Sequence, residues 1–230
     1  MKKLQITFLI MLLVTITQGQ DIIFKKQKFE LKNVKASITT MNKEKVLKIE
    51  RDLNLLPFDI NNMSSTVDEP TYAKLKNFNF QNGVIEVKVM SRLLKNAPEL
   101  SRGFIGLAFR IDNDDTKFES IYLRPTNGRD ENQFRRNHSV QYFSYPTFKF
   151  DRLRKEYPET YETYADIGLN EWIQLRIEIK NKTAKLYINN QKYPSFIVNE
   201  MKGGLQNGAI GLWVDIGTEG YFKDLNITNL

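Results

Sequence analysis

The sequence predicts an all-β protein built as a two-sheet antiparallel sandwich. Three observations carry this reading. Apolar residues recur with a period of two, so alternate side chains of a segment share one face of a strand. The segments are short and are bounded by Asn, Gly, Asp and Pro, the residues that tight turns require. No internal repeat, linker or charge run marks a second domain, and 230 residues suit a single sandwich.

In chain order, MKKLQITFLIMLLVTITQGQ combines two lysines, an apolar run from Ile6 to Ile16 and a small or polar end. It reads as a secretory signal peptide over residues 1–19, its apolar run being short for a bilayer span, which leaves 20–230 as one domain with no membrane attachment. The expected location is therefore secreted or periplasmic. Lys28 to Ile38 and Lys45 to Arg51 read as a hairpin turning through Thr40-Met41-Asn42-Lys43. Further strands are expected at Gly83–Met90, Phe104–Ile111, Phe118–Arg124, Trp172–Lys180, Ala184–Ile188, Ala209–Val214 and Tyr221–Ile227. Only FKFDRLRKEYPETYETY departs from the alternation, with one helical turn expected before Pro158.

The same periodicity assigns faces. Ile173, Leu175, Ile177 and Ile179 form a core face, with Ile85, Val87 and Val89 doing the same in their strand. Three strands have a different outer face. If Ile105, Leu107, Phe109 and Ile111 point inward, then Gly106, Ala108 and Arg110 point out, joined by Ser120, Tyr122 and Arg124 and by Gly211, Trp213 and Asp215. Small residues beside Arg, Tyr and Trp describe a floor for a sugar, whose C–H face suits an aromatic ring and whose hydroxyls suit Arg, Asn and Asp. In the competing reading, Tyr122 and Trp213 are covered by the Tyr145–Tyr164 segment and form a second small core.

The segments GFIGLAFRID, FESIYLRPTNGR, QFRRNHSVQY, EWIQLRIEI, AKLYINN and GAIGLWVDIGTEGYFKDLNI resemble the secreted concanavalin A-like (laminin G-like) jelly rolls, nearest to domains of the 3-keto-disaccharide hydrolase type. The resemblance covers about Phe78 to Ile227. It implies a jelly-roll sandwich that binds or processes carbohydrate on its concave sheet. Two functions follow: a glycoside hydrolase or lyase, or a non-catalytic lectin-like or surface interaction module. The E-x-D-x-x-E strand motif of many glucanases of this fold is absent, which speaks against an ordinary two-carboxylate retaining glycosidase.

For chemistry, His138 is the single histidine and titrates nearest neutrality, so it is the first acid–base candidate; parity with Val140 and Tyr142 can equally turn it inward. Glu119 is the second, as a partly buried carboxyl, against the alternative of an ion pair with Arg129 or Arg135. Substrate contacts are expected from Arg110, Tyr122, Arg124, Asn127, Arg129, Arg135, Arg136, Gln141, Trp213 and Asp215, the Arg129–Gln141 stretch forming one wall. Arginine forks at this density point to an anionic sugar; the alternative is surface pairing with Asp130, Glu131, Asp151 and Glu156, which contributes little when exposed. No cofactor is expected: Asp112-Asn113-Asp114-Asp115 reads first as a solvated turn, with calcium oxygens as the alternative. The chain contains no cysteine, which excludes disulfides, thiolate metal sites and a cysteine nucleophile. Loss of Lys2 and Lys3 with the leader takes the formal charge from +7 to +5, and export speaks against a nucleic-acid partner.

Overall fold

The computed structural model describes residues 20–230, so the leader expected at 1–19 lies outside the described residues. One sheet has eight strands, in the spatial order β1 (Asp21–Phe24), β2 (Gln27–Lys32), β5 (Tyr72–Leu75), β14 (Ala209–Val214), β7 (Ile105–Ile111), β8 (Phe118–Leu123), β9 (Val140–Tyr145) and β10 (Glu162–Thr163). The other has seven, in the order β13 (Phe196–Val198), β12 (Thr183–Ile188), β11 (Ile173–Lys180), β6 (Gly83–Leu93), β15 (Thr218–Asn229), β4 (Glu44–Arg51) and β3 (Val34–Met41). All pairings are antiparallel. Three short helices, α1 (Pro125–Gly128), α2 (Gln133–Arg136) and α3 (Phe150–Glu156), follow β8 and β9. The protein is thus the antiparallel jelly-roll sandwich that the alternation and turn residues predicted, and α3 is the helical turn expected before Pro158.

The inward face of β11 is the predicted one. Ile173, Leu175, Ile177 and Ile179 are buried opposite Val89, Val87, Ile85 and Gly83 of β6. Each such aliphatic side chain removed from water contributes roughly 1.5–3 kcal/mol before chain entropy is charged against it.

The fold corrects two features of the sequence reading. Lys28–Ile38 is not one strand. Asn33 takes a left-handed backbone (φ 53°) and its amide donates to Pro70 O, so the chain leaves β2 in one sheet and enters β3 in the other. The second correction concerns Arg110, which was expected to face outward. It also sits in the left-handed region (φ 53°), at a bulge against Ala209 and Ile210. The extra residue breaks the alternation. Arg110 turns in beside Glu119, donating to Gln81 O and Asn181 O, while Ile111 moves to the opposite face against Tyr72.

The small residues of the proposed floor have a packing role. The Tyr72 ring lies across Gly211, where an added Cβ would sit 2.9 Å from the ring and 3.0 Å from Ile111. Gly211→Ala is therefore expected to cost about 1–3 kcal/mol of stability through overpacking, read from urea or thermal unfolding. A neutral result would mean that the Tyr72 ring can move aside freely.

Candidate functional site

The outer face of the eight-stranded sheet carries a layer of rings. Tyr122 and Trp213 have centroids 4.9 Å apart, Phe143 and Trp213 5.5 Å, and Phe118 and Tyr72 5.4 Å. These rings are at most 2% exposed. They are covered as the competing reading expected, but by two segments rather than one. The chain between β4 and β5 lays Glu69 O on the Trp213 indole N–H at 2.9 Å, and the segment after β9 clasps that cover from above. Tyr145 and Lys149 both bond the Glu69 carboxylate, and the Phe150 N–H donates to Asp68 Oδ2 at 2.9 Å. Trp213 therefore serves as core in this structure, and no open floor exists at its position.

At the Arg124 end of the sheet the cover leaves a cavity of about 270 Å³. Tyr122, Arg124, Asn127, Arg135, His138 and Asp215, all expected at the site, share its wall. So do Asp68, Arg102 and Arg154, with Phe104, Phe134 and Phe150 supplying apolar surface. The strand β8 delivers Tyr122 and Arg124 from below. α2 brings Arg135 and Phe134, its first turn capped by Asn132 Oδ1 accepting from the Phe134 N–H at 3.0 Å. α3 brings Phe150 and Arg154.

Three features define its electrostatics. Glu162 on β10 is a buried hub: it accepts from Arg124 Nη1 at 3.0 Å and Arg154 Nε at 3.0 Å, and lies 3.0 Å from His138 Nε2. Burial pushes its carboxyl up, but Arg154 and Arg124 outweigh that and hold it below the usual range. Burial lowers His138, despite Glu162, which favours the neutral ring at neutral pH. Arg102 is held below the ordinary arginine value by burial and by repulsion from Arg135 and Arg124, so positive charge is crowded on this wall.

The carboxyls form the third feature. Asp215 is an ion pair with Arg51 at 2.6 Å, both side chains buried, and it also accepts from the Asp68 and Ile216 N–H groups. Asp68 has a left-handed backbone (φ 54°), and burial, with repulsion from Asp215, raises its carboxyl to about 7 against the pull of Phe150 N–H, Arg124 and Lys149.

The remaining expected residues lie elsewhere. Glu119 and Arg110 line a separate cavity of about 320 Å³ with Lys202 and Gly203. Glu119 is five residues from Arg124, roughly 17 Å along the strand, so it and His138 are not brought to one reacting bond. It pairs with neither Arg129 nor Arg135; Tyr142 OH donates to its Oε2 at 2.5 Å, and burial raises it. Gln141 is buried between β9 and β10, its amide donating to Tyr161 O. Arg129 is exposed and paired with Asp166 and Glu171, Arg135 pairs with Asp130 at 2.7 Å, and Arg136 donates to Tyr164 OH. Asp112 bonds Thr116 and Lys117 within its turn, and Asp115 pairs with Lys74 at 2.7 Å. Asp68, Arg102 and Glu162 were missed. Each stands in a loop or a two-residue strand, and the only local hint was the acidic pair in VDEP.

These features define an antiparallel jelly-roll sandwich whose eight-stranded sheet is covered on its outer face, with an arginine-lined cavity at the Arg124 end. No family model and no curated protein matches the chain. Among solved structures, it is similar in fold to a carbohydrate binding module from Bacillus subtilis, with 12% identity over 86% of this chain and 96% of that one and a TM-score of 0.52. A putative glycosyl hydrolase from Parabacteroides distasonis aligns at 12% identity over 87% of this chain and 85% of that one, with a TM-score of 0.47.

Proposed function

We propose that this is an exported carbohydrate-binding protein, secreted or periplasmic, that takes one anionic sugar residue into the cavity at the Arg124 end of the sheet. The observation that carries this reading is the convergence of Arg102, Arg124 and Arg135 on one wall, opposite the apolar surface of Phe104, Phe134 and Phe150. A uronate or sulfate group is matched by those guanidinium groups, while the sugar ring lies against the aromatic side. The fold likeness to a carbohydrate binding module supports the ligand class, and the leader residues support export.

A glycan array comparing uronate-containing and sulfated oligosaccharides with their neutral counterparts tests this. The anionic members are expected to bind selectively. Calorimetry on Arg102→Ala should then show roughly ten- to hundred-fold weaker binding, matching the loss of one charge-assisted hydrogen bond of about 1.5–3 kcal/mol. Equal binding of neutral glycans, or an unchanged affinity in Arg102→Ala, would sink the anionic assignment.

A further inference from the structure

We infer that the cavity is catalytic, Asp68 cleaving a uronate-containing glycan by β-elimination as the single acid–base residue; this rests on the anionic-sugar reading above. Two carboxyls line the cavity and their environments differ. Asp215 is committed: Oδ1 accepts from Arg51 and the Ile216 N–H, and Oδ2 accepts from the Asp68 N–H. Asp68 is not. Its Oδ2 accepts from the Phe150 N–H, and among the described residues nothing donates to its Oδ1. Its left-handed backbone is a conformation a non-glycine residue holds only where its surroundings enforce it, here through its N–H to Asp215 after β14 and the Phe150 N–H of the segment after β9.

Hydrolysis by a pair of carboxyls needs two that can reach the substrate, and here Asp215 is held by Arg51 and two backbone N–H groups. Elimination needs one. The Asp68 carboxylate takes the proton from the carbon that bears the sugar carboxylate. The electron pair of that C–H bond becomes the new carbon–carbon double bond, and the bond from the next carbon to the glycosidic oxygen breaks. The departing oxygen leaves with that electron pair and takes the proton back from Asp68. Atoms and charge balance without water, oxidant or a second base. Arg102, Arg124 and Arg135 neutralise the sugar carboxylate, which is what makes its neighbouring C–H acidic enough to lose a proton. His138 is engaged with Glu162, whose carboxylate it shares with Arg124.

Burial raises Asp68 most, and the Phe150 N–H and the charged groups that face it act on top of that. Asp215 pushes it up, Arg124 and Lys149 pull it down, and Arg102, Arg135, Arg154 and His138 share the cavity wall. The outcome is about 7, close to the working range of a residue that must both take and return a proton. Because the carboxylate is the active form, the rate should rise with pH through that value.

The experiment uses oligogalacturonate, oligoalginate and chondroitin oligosaccharides with the mature protein and Asp68→Asn, an isostere that also tolerates left-handed backbone. Product is read by the ultraviolet absorbance of the new double bond conjugated to the carboxylate, binding by calorimetry, and folding by thermal melt. The expected result is product from the wild type, and an Asp68→Asn protein that is folded and binds within a few-fold of wild type but turns over at least about 100-fold more slowly. Binding without unsaturated product in the wild type, or full turnover in Asp68→Asn, overturns the inference and leaves the binding reading intact. If none of these oligosaccharides binds or reacts, both fall.

Discussion

Replacing Arg51 by alanine is expected to lower the unfolding free energy by about 3–5 kcal/mol, the scale for stripping one partner from a buried ion pair. The Arg51 side chain is 1% exposed and spends its donors on four acceptors: Asp215 Oδ1 at 2.6 Å, Thr66 O at 2.6 Å, Pro57 O at 3.0 Å and Leu56 O at 3.2 Å. Its removal leaves a buried carboxylate and three carbonyls without a planar fork that a lysine cannot imitate. Because those carbonyls belong to the segment covering the eight-stranded sheet, the same change should loosen the cover and make it the first site of proteolysis. Urea denaturation checks the magnitude, and the double variant Arg51→Ala/Asp215→Asn should recover part of the loss. A cost below about 1 kcal/mol would mean that water reaches Asp215 and that the pair is not a buried one.

Trp213→Ala is expected to cost a similar amount, about 3–5 kcal/mol, as a large buried side chain replaced by a cavity. Trp213 is fully buried between Tyr122 and Phe143, and its indole N–H is the bond that holds Glu69 O onto the sheet. Trp213→Phe keeps most of the packing and loses the bond while Glu69 O keeps the Thr71 N–H at 2.8 Å, so it should cost roughly 1–3 kcal/mol, from one lost hydrogen bond and the smaller ring. The pair of variants separates the two roles this residue was given. An open sugar platform would lose binding at nearly full stability, whereas a core indole loses stability first.

The candidate site was legible in part. The arginine density of RPTNGR and QFRRNHS pointed to the end of the sheet where a cavity lies, and Tyr122, Arg124, Asn127, Arg135, His138 and Asp215 share its wall. What connects them was not legible. Glu162, which ties Arg124, Arg154 and His138 together, stands in a two-residue strand inside a segment of mixed charge. Asp68 acquires its character from Asp215, far along the chain, and from a helix start at Phe150. Arg110 was misplaced because alternation presumes a regular strand, and one left-handed residue reverses every side chain beyond it.

By itself, the sequence determined the all-β sandwich, the core faces of its regular strands and the cluster of arginines after β8, because a strand's facing depends on its own period and a turn on its own residues. Only the tertiary structure decided that the aromatic floor is roofed, that Glu119 and His138 serve different cavities, and that a single uncommitted carboxyl lies among the arginines. Those are properties of segments distant in sequence, and burial and charge, unlike periodicity, are set by what packs on top.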